Sequence, residues 1–392
     1  MNGPAALENS ERGKEKYMVR SFSITAKERM GMIDPVLLVC TLILTAMSLA
    51  TLGGGLGKMM DFSTSAYVVQ IVSVVLGIVM MIAITMMDYE EFTEKFGKVF
   101  YIGSLVLLAG TLIFGVAAGS NKSYLRFGPV GIQPSEFVKV AYIMTFSKHL
   151  AYVKDRINNI KNLAGLALHA GLIIGLILIS GDLGVALVYI AFTLIMLFCA
   201  GLSGWLFVGV GAAALIGFPY VWPLLQPYQQ KRILGGFNPE LDPLGKGMQP
   251  LLGRQAIANG GMWGQGISGG SYYERLFASH TDFIFASFCE KFGFVGGALL
   301  IITLTVMVVR ILMIAKQSRC LMGSYICIGA AAIVIVQTLE NLGMCMAILP
   351  VVGITLPFMS YGGSSMLSMY MIIGLVQSVR AHREKYFFEM KD

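Results

Sequence analysis

The sequence predicts an all-α integral membrane protein with ten transmembrane helices and a large extracellular loop between helices 7 and 8. Hydrophobic residues make up 56% of the 392 residues, and the mean hydropathy is +0.72. Charged residues make up only 13%, against roughly 25% in soluble domains. Apolar runs long enough to cross a hydrocarbon core, which takes about 20 residues per helix, recur along most of the chain. A soluble core cannot cover so much apolar surface.

The apolar runs divide the chain into three parts. We expect a cytoplasmic N-terminal tail (1–32), one polytopic membrane domain (33–380) and a cytoplasmic C-terminal tail (381–392). The large extracellular loop (226–282) is the one polar interval long enough to build a site by itself. The predicted spans are 35–55, 66–87, 99–119, 134–152, 163–180, 182–200, 203–225, 283–314, 322–346 and 356–379.

The positions of lysine and arginine predict the orientation, because short cytoplasmic loops retain these residues. Most of the 29 Lys and Arg residues fall in cytoplasmic segments if both termini face the cytoplasm. They are dispersed over short loops, which argues against nucleic-acid binding despite the net charge of +7. No cleavable signal peptide is expected, so the first span would direct insertion. The six cysteines lie in or beside apolar runs and are predicted to pack without disulfides.

Two charged residues inside the fourth predicted span mark a first candidate site. Glu136 and Lys139 lie three residues apart, so they share one face of the helix near its outer end. Ionisable residues in a membrane span are costly and indicate a functional site by default. The alternative is a salt bridge that only allows the two charges to be buried.

A carboxylate at the start of the eighth span marks a second candidate site. Asp282 lies where the extracellular loop meets apolar sequence, a position that can raise the pKa of a carboxyl and suit it as a general base. The alternative is a helix N-cap. Glu290 follows about two helical turns later and is predicted to face the same side. Asp182 is predicted to cap the sixth span after a tight outer turn.

The predicted outer segments also carry cations, glycines and serines suited to an anionic ligand. Cations there can hold a pyrophosphate through charge-assisted hydrogen bonds, or bind lipid headgroups nonspecifically. The glycine-rich stretch 260–270 offers backbone N–H groups to an anion or simply makes turns. The Pro- and Gly-rich stretch 349–365, with Ser360 and Ser364, predicts a cavity wall. The candidate cations are Lys122, Arg126, Lys231, Arg232, Lys246 and Arg254.

Several sequence blocks resemble the SEDS family, which includes RodA, FtsW and SpoVE. The blocks occur in the family's order and span nearly the whole chain. The longest are Gln133–Lys139 (QPSEFVK), His280–Ala286 (HTDFIFA) and Leu356–Ser365 (LPFMSYGGSS). The resemblance implies that Asp282 is the catalytic residue and that Glu136 and Lys139 line a central cavity. His280, Glu290, Ser360 and Ser364 lie in matching blocks and are further candidates for substrate binding.

The resemblance implies a peptidoglycan glycosyltransferase that joins disaccharide-pentapeptide units from lipid II at the outer face of the bacterial cytoplasmic membrane. It favours a RodA-like role in elongation. The implied partners are lipid II, undecaprenyl-linked glycan, membrane lipids and a class B penicillin-binding protein. A divalent cation, Mg²⁺ or Mn²⁺, would bridge phosphate oxygens, although the sequence shows no ligand cluster, and no organic cofactor is expected. Two rival functions are a transporter of lipid-linked precursors and a noncatalytic scaffold.

Overall fold

The computed structural model describes residues 33–60, 62–118, 121–127, 130–224, 230, 238–245 and 247–383. Within these residues the chain is mainly α-helical, and one short helix, α8, lies in the large loop. The α-helices are α1 (Pro35–Gly54), α2 (Thr64–Met86), α3 (Tyr89–Phe114), α4 (Pro134–Val153), α5 (Ile160–Ile179), α6 (Leu183–Cys199), α7 (Gly204–Val221), α8 (Met248–Asn259), α9 (Ile284–Lys316), α10 (Leu321–Cys345) and α11 (Gly363–Ala381).

Each predicted span overlaps one of the long helices. Six of them, α1, α2, α3, α5, α9 and α10, are long and apolar enough to cross a membrane, while α6 and α7 are apolar and shorter. The chain is therefore a multi-pass membrane protein. The count of ten crossings and the extracellular placement of the large loop stay predictions.

The helices α4 and α11 lie in the interior of the bundle. Most of their residues are buried, including Glu136 and Lys139 on α4 and Ser368 and Gln377 on α11. The two helices pack against each other and against α10, and α11 also packs closely on α2. Because they face protein rather than lipid, they can carry polar side chains that a lipid-facing helix would exclude.

A small antiparallel sheet follows α3, which the all-α prediction missed. Its strands are β1 (Val116–Ala118), β2 (Asn121–Phe127) and β3 (Val130–Ile132), and β2 lies in the middle. The third span was predicted to run to residue 119, but α3 ends at Phe114 because Gly115 adopts an extended conformation, with ψ of 137°. The sheet leads directly into Pro134 at the start of α4.

The helix α9 is broken at Gly293, where φ is 67° and ψ is −168°. The break frees backbone groups of the helix, and the glycine-rich stretch of the large loop pairs with them. The four hydrogen bonds run from Gln265 N to Glu290 O (2.9 Å), Gly266 N to Lys291 O (3.0 Å), Phe294 N to Gly261 O (2.8 Å) and Val295 N to Met262 O (3.1 Å). Irregular backbone beside a membrane span is tolerated when protein satisfies it. Here the stretch makes turns and fastens the loop to α9.

Replacing Gly293 with alanine is expected to destabilise the protein by about 1–3 kcal/mol, since this φ and ψ region is essentially restricted to glycine. The added Cβ would also clash with the backbone nitrogen of Gly264. Gly103→Ala in α3 is the matched control, because a Cβ there meets nothing within 4 Å. The apparent Tm of the purified variants checks this, and an equal Tm for both would show that the break tolerates a side chain.

Candidate active site

A polar cavity of ≈ 340 Å³ lies where the predicted outer segments meet at one end of the bundle. Its walls come from the β-sheet, α4, the start of α6, the segment before α9, the helix α10 and the stretch 352–365. It therefore gathers residues that are distant in the sequence. Its charged and larger polar lining residues are Tyr124, Gln133, Glu136, Lys139, Asp182, Asp282, Gln337 and Tyr361.

Asp282 lies in the cavity wall and is only partly exposed. The N-cap position of α9 belongs to Phe283, one residue after Asp282. The Asn341 side chain fixes the backbone of Asp282. This fully buried amide on α10 donates to the carbonyl oxygen of Asp282 and to that of Ile354, both at 2.8 Å. Through Asn341, the backbone of Asp282 is therefore held against α10 and against the stretch 352–365, which form two other parts of the cavity wall.

The hydroxyl of Ser360 holds the residue before Asp282. It donates to the carbonyl oxygen of Thr281 at 2.7 Å and accepts from the backbone N–H of Leu356 at 2.8 Å. Ser360 is 3% exposed and does not line the cavity. Ser360, a predicted substrate-binding residue, therefore holds the segment that carries Asp282 and does not face the cavity.

Of the two candidate residues His280 and Ser364, Ser364 lines the cavity and His280 does not. The ring of His280 packs against Phe62 and Tyr361, with centroids 5.2 and 5.5 Å apart, and is not among the cavity-lining residues. Its carbonyl oxygen accepts from the backbone N–H of Tyr361 at 2.8 Å. Ser364 does line the cavity, and its hydroxyl accepts from the backbone N–H of Gln133 at 3.0 Å. The cavity thus includes Ser364 and not His280.

Glu136 and Lys139 form a buried ion pair in the cavity wall, with 2.7 Å between Oε2 and Nζ. Glu136 is 3% exposed and Lys139 is 1% exposed. The hydroxyl of Ser368 donates to the same carboxylate oxygen at 2.8 Å, which further satisfies the buried charge. The spacing correctly predicted that the two residues share a face. The pair is both a salt bridge and part of the cavity surface.

Asp182 supplies another carboxylate to the cavity. It caps α6, as predicted, by accepting from the backbone N–H of Val185 at 3.2 Å. It also accepts from the side-chain amide of Gln133 at 3.2 Å and from the hydroxyl of Ser123. The cap is therefore also a cavity residue, which the sequence did not indicate.

Tyr124 on β2 is a cavity residue that sequence reasoning missed. Burial raises the pKa of its phenol, and the nearby carboxylates of Asp182, Glu136 and Asp282 add to the rise. The hydroxyl therefore stays protonated at neutral pH and can donate a hydrogen bond. The aromatic residues in 124–127 are typical of a strand and were the signal available for this segment.

Glu290 does not reach the cavity. It is fully buried, and its carboxylate accepts from the backbone N–H groups of Ser271, Tyr272 and Tyr273 at 2.7–3.0 Å. The side-chain amide of Asn259 adds a fourth hydrogen bond at 2.8 Å. These donors occupy both carboxylate oxygens, so Glu290 folds the large loop onto α9 and offers little to a substrate.

Lys139 is the cation that the described side chains bring to the cavity. Arg126 and Arg254 are exposed and are not among its lining residues. A pyrophosphate would have to extend beyond the cavity to reach either arginine. The other candidate cations fall outside the described side chains: Lys122, whose backbone belongs to β2, and Lys231, Arg232 and Lys246.

The known proteins that this chain resembles belong to one family. The FtsW/RodA/SpoVE model, described as cell cycle protein, matches residues 32–385. Stage V sporulation protein E of Bacillus subtilis is 34% identical over 78% of this chain and 84% of its own length. The peptidoglycan glycosyltransferase RodA of Treponema pallidum is 30% identical over 87% of this chain and 97% of its own length.

Two solved structures have the same fold. A chain from a study of the structural coordination of polymerization and crosslinking by a peptidoglycan synthase complex has a TM-score of 0.78 and 30% identity, over 90% of this chain and 98% of that one. The rod shape determining protein RodA of Thermus thermophilus has a TM-score of 0.67 and 25% identity, with the same coverage. From its sequence and its fold, the chain belongs to the FtsW/RodA/SpoVE family, the SEDS family.

Proposed function

We propose that this protein is a peptidoglycan glycosyltransferase that polymerises lipid II at the outer face of the bacterial cytoplasmic membrane. The observation that carries the proposal is that Asp282 and the Glu136–Lys139 pair line one polar cavity. A base and a cation in one cavity are the groups that glycosyl transfer from a lipid pyrophosphate needs. Relatives named peptidoglycan glycosyltransferases support the same reaction.

In the proposed mechanism Asp282 is the general base. Its carboxylate takes the proton from a hydroxyl of the acceptor sugar, and the hydroxyl oxygen then attacks the anomeric carbon of the donor sugar. The bond from that carbon to the lipid pyrophosphate breaks, and the configuration inverts. Lys139 compensates the negative charge that develops on the departing pyrophosphate. Asn341 and Ser360 act indirectly, because they fix the backbone that carries Asp282.

The described side chains do not fit a resident metal centre. Among them no group of three or more His, Cys, Asp or Glu residues could hold a metal ion. The expected Mg²⁺ or Mn²⁺ would therefore be bound to the pyrophosphate and enter as part of the substrate. The proposed acid–base chemistry rests on the protein's own residues.

The proposal also includes the orientation of the protein in the membrane and a partner protein. The cavity lies among segments predicted to be outside, while Asp34 of the N-terminal region pairs with Arg310 near the end of α9, both on the predicted cytoplasmic side. Both termini would then be cytoplasmic, as in the sequence prediction. A class B penicillin-binding protein would cross-link the new strand, and the similarity to a chain of a peptidoglycan synthase complex supports such a partner.

Polymerisation of labelled lipid II by the purified protein tests this function. We expect glycan strands to form in detergent or vesicles when the cognate class B penicillin-binding protein is present, because a similar chain belongs to a study of a peptidoglycan synthase complex. The same vesicles can report transfer of lipid II between leaflets. Transfer without any polymer would contradict the proposal and support the transporter. The absence of both activities would support a noncatalytic scaffold.

A further inference from the structure

A second and larger cavity lies at the other end of the bundle. It is a groove of ≈ 630 Å³, and apolar surface makes up most of its wall. The first half of α3 and the second half of α4 form its long sides, α5 contributes His169, and the start of α10 closes one end. In the proposed orientation the groove opens toward the cytoplasmic half of the membrane.

The polar groups in the deep part of the groove bind one another. The Nδ1 atoms of His149 and His169 are 3.1 Å apart, so one ring donates and the other accepts. The other nitrogen of His169 lies 3.3 Å from the hydroxyl of Thr145, and Tyr101 donates to the carbonyl oxygen of His169 at 3.0 Å. Few donors are left for a polar ligand. The groove therefore suits a hydrocarbon chain.

The charged residues at the mouth of the groove are mostly paired. Lys148 pairs with Glu94 at 2.7 Å, and Arg319 pairs with both Glu90 and Asp88, at 2.7 and 2.9 Å. Lys98 also lines the groove, is exposed and has no ion pair among the described residues. An anionic group at the mouth would therefore meet a free ammonium next to apolar surface.

We propose that this groove binds an anionic phospholipid of the inner leaflet. One acyl chain lies along the apolar wall, and the headgroup phosphate sits at Lys98. Basic pockets between helices on the cytoplasmic side are suited to such headgroups, and each lysine near the surface adds an attraction of about 1 kcal/mol. The inference requires the proposed orientation and does not depend on the catalytic role of Asp282.

Native mass spectrometry of the full-length protein in detergent tests whether the groove prefers an anionic headgroup. The protein is titrated with dioleoylphosphatidylglycerol or dioleoylphosphatidylcholine, and the dissociation constant of the first bound lipid is measured. We expect Lys98→Gln to weaken phosphatidylglycerol binding about fivefold and to leave phosphatidylcholine binding unchanged. Lys95→Gln is the matched control, since Lys95 is exposed on the same helix and does not line the groove. Equal losses in both variants would indicate diffuse surface attraction and overturn the site.

Two further variants test the acyl-chain position. A Cβ at Gly97 meets only the methyl groups of Thr93 and Thr145, at 3.5 and 3.9 Å, so Gly97→Val should fold and narrow the groove. Gly103→Val, which faces open space on the same helix, is its control. Leu321→Trp fills the groove from the α10 side if Gly97→Val is unstable. We expect the filled variants to lose at least tenfold in affinity for both lipids. Unchanged binding in a folded, filled variant would show that the lipid lies elsewhere.

Discussion

Replacing Asp282 with asparagine is expected to slow lipid II polymerisation about 10²–10⁴-fold, the usual contribution of a general base. The amide has nearly the same shape as the carboxylate but cannot take a proton from the acceptor hydroxyl at neutral pH. The fold should persist, because the substitution keeps the size of the side chain and Asn341 still binds the backbone carbonyl of residue 282. The measurement is the initial rate of glycan formation from labelled lipid II in the presence of the partner.

Variants of two other carboxylates show whether the loss of rate is specific to Asp282. Asp155→Asn changes an exposed residue in the loop between α4 and α5, at the far end of the bundle, and should leave the rate unchanged. Asp182→Asn changes the second carboxylate group in the same cavity and should retain more activity than Asp282→Asn, because an amide oxygen can still accept from Val185. If Asp182→Asn abolished the reaction while Asp282→Asn left it near normal, Asp182 would be the base.

Hydrophobic run length predicted the positions of the long helices. These include α4 and α11, which are not among the six helices that are long and apolar enough to cross a membrane. The sheet that follows α3 was missed, since its first strand continues an apolar run and strand pairing depends on contacts beyond the local sequence. The break at Gly293 was missed for the same reason, as its partners lie in the large loop.

The candidate site was predicted best where spacing along one helix decides the geometry. Glu136 and Lys139 share a face because they are three residues apart, and the structure pairs them. For Glu290, the same reasoning from helical spacing gave the wrong position. Counting turns from Asp282 placed it on the same side, but backbone donors of the large loop surround its carboxylate. Tyr124 and Asn341 could not be assigned, because their roles depend on segments that meet only in the folded chain.

Replacing Lys139 with methionine is expected to destabilise the protein by about 3–5 kcal/mol, because Glu136 would remain buried without its cation. Removing both charges in Glu136→Gln/Lys139→Met should restore most of the stability, since no uncompensated charge remains and Ser368 can donate to the glutamine oxygen. The apparent Tm of the purified variants measures both effects. A fall in Tm for the double variant as large as that for Lys139→Met would contradict this account of the pair.

The rate of the double variant separates a structural role from a catalytic one. If the pair only lets two charges be buried, the double variant should recover polymerisation together with stability. The proposed mechanism predicts that it stays about 10²–10³-fold slow, the usual effect of losing one group that stabilises a developing negative charge. Without Lys139 the described side chains bring no other cation to the cavity, because the exposed Arg126 and Arg254 do not line it. A stable and fully active double variant would therefore remove Lys139 from the mechanism.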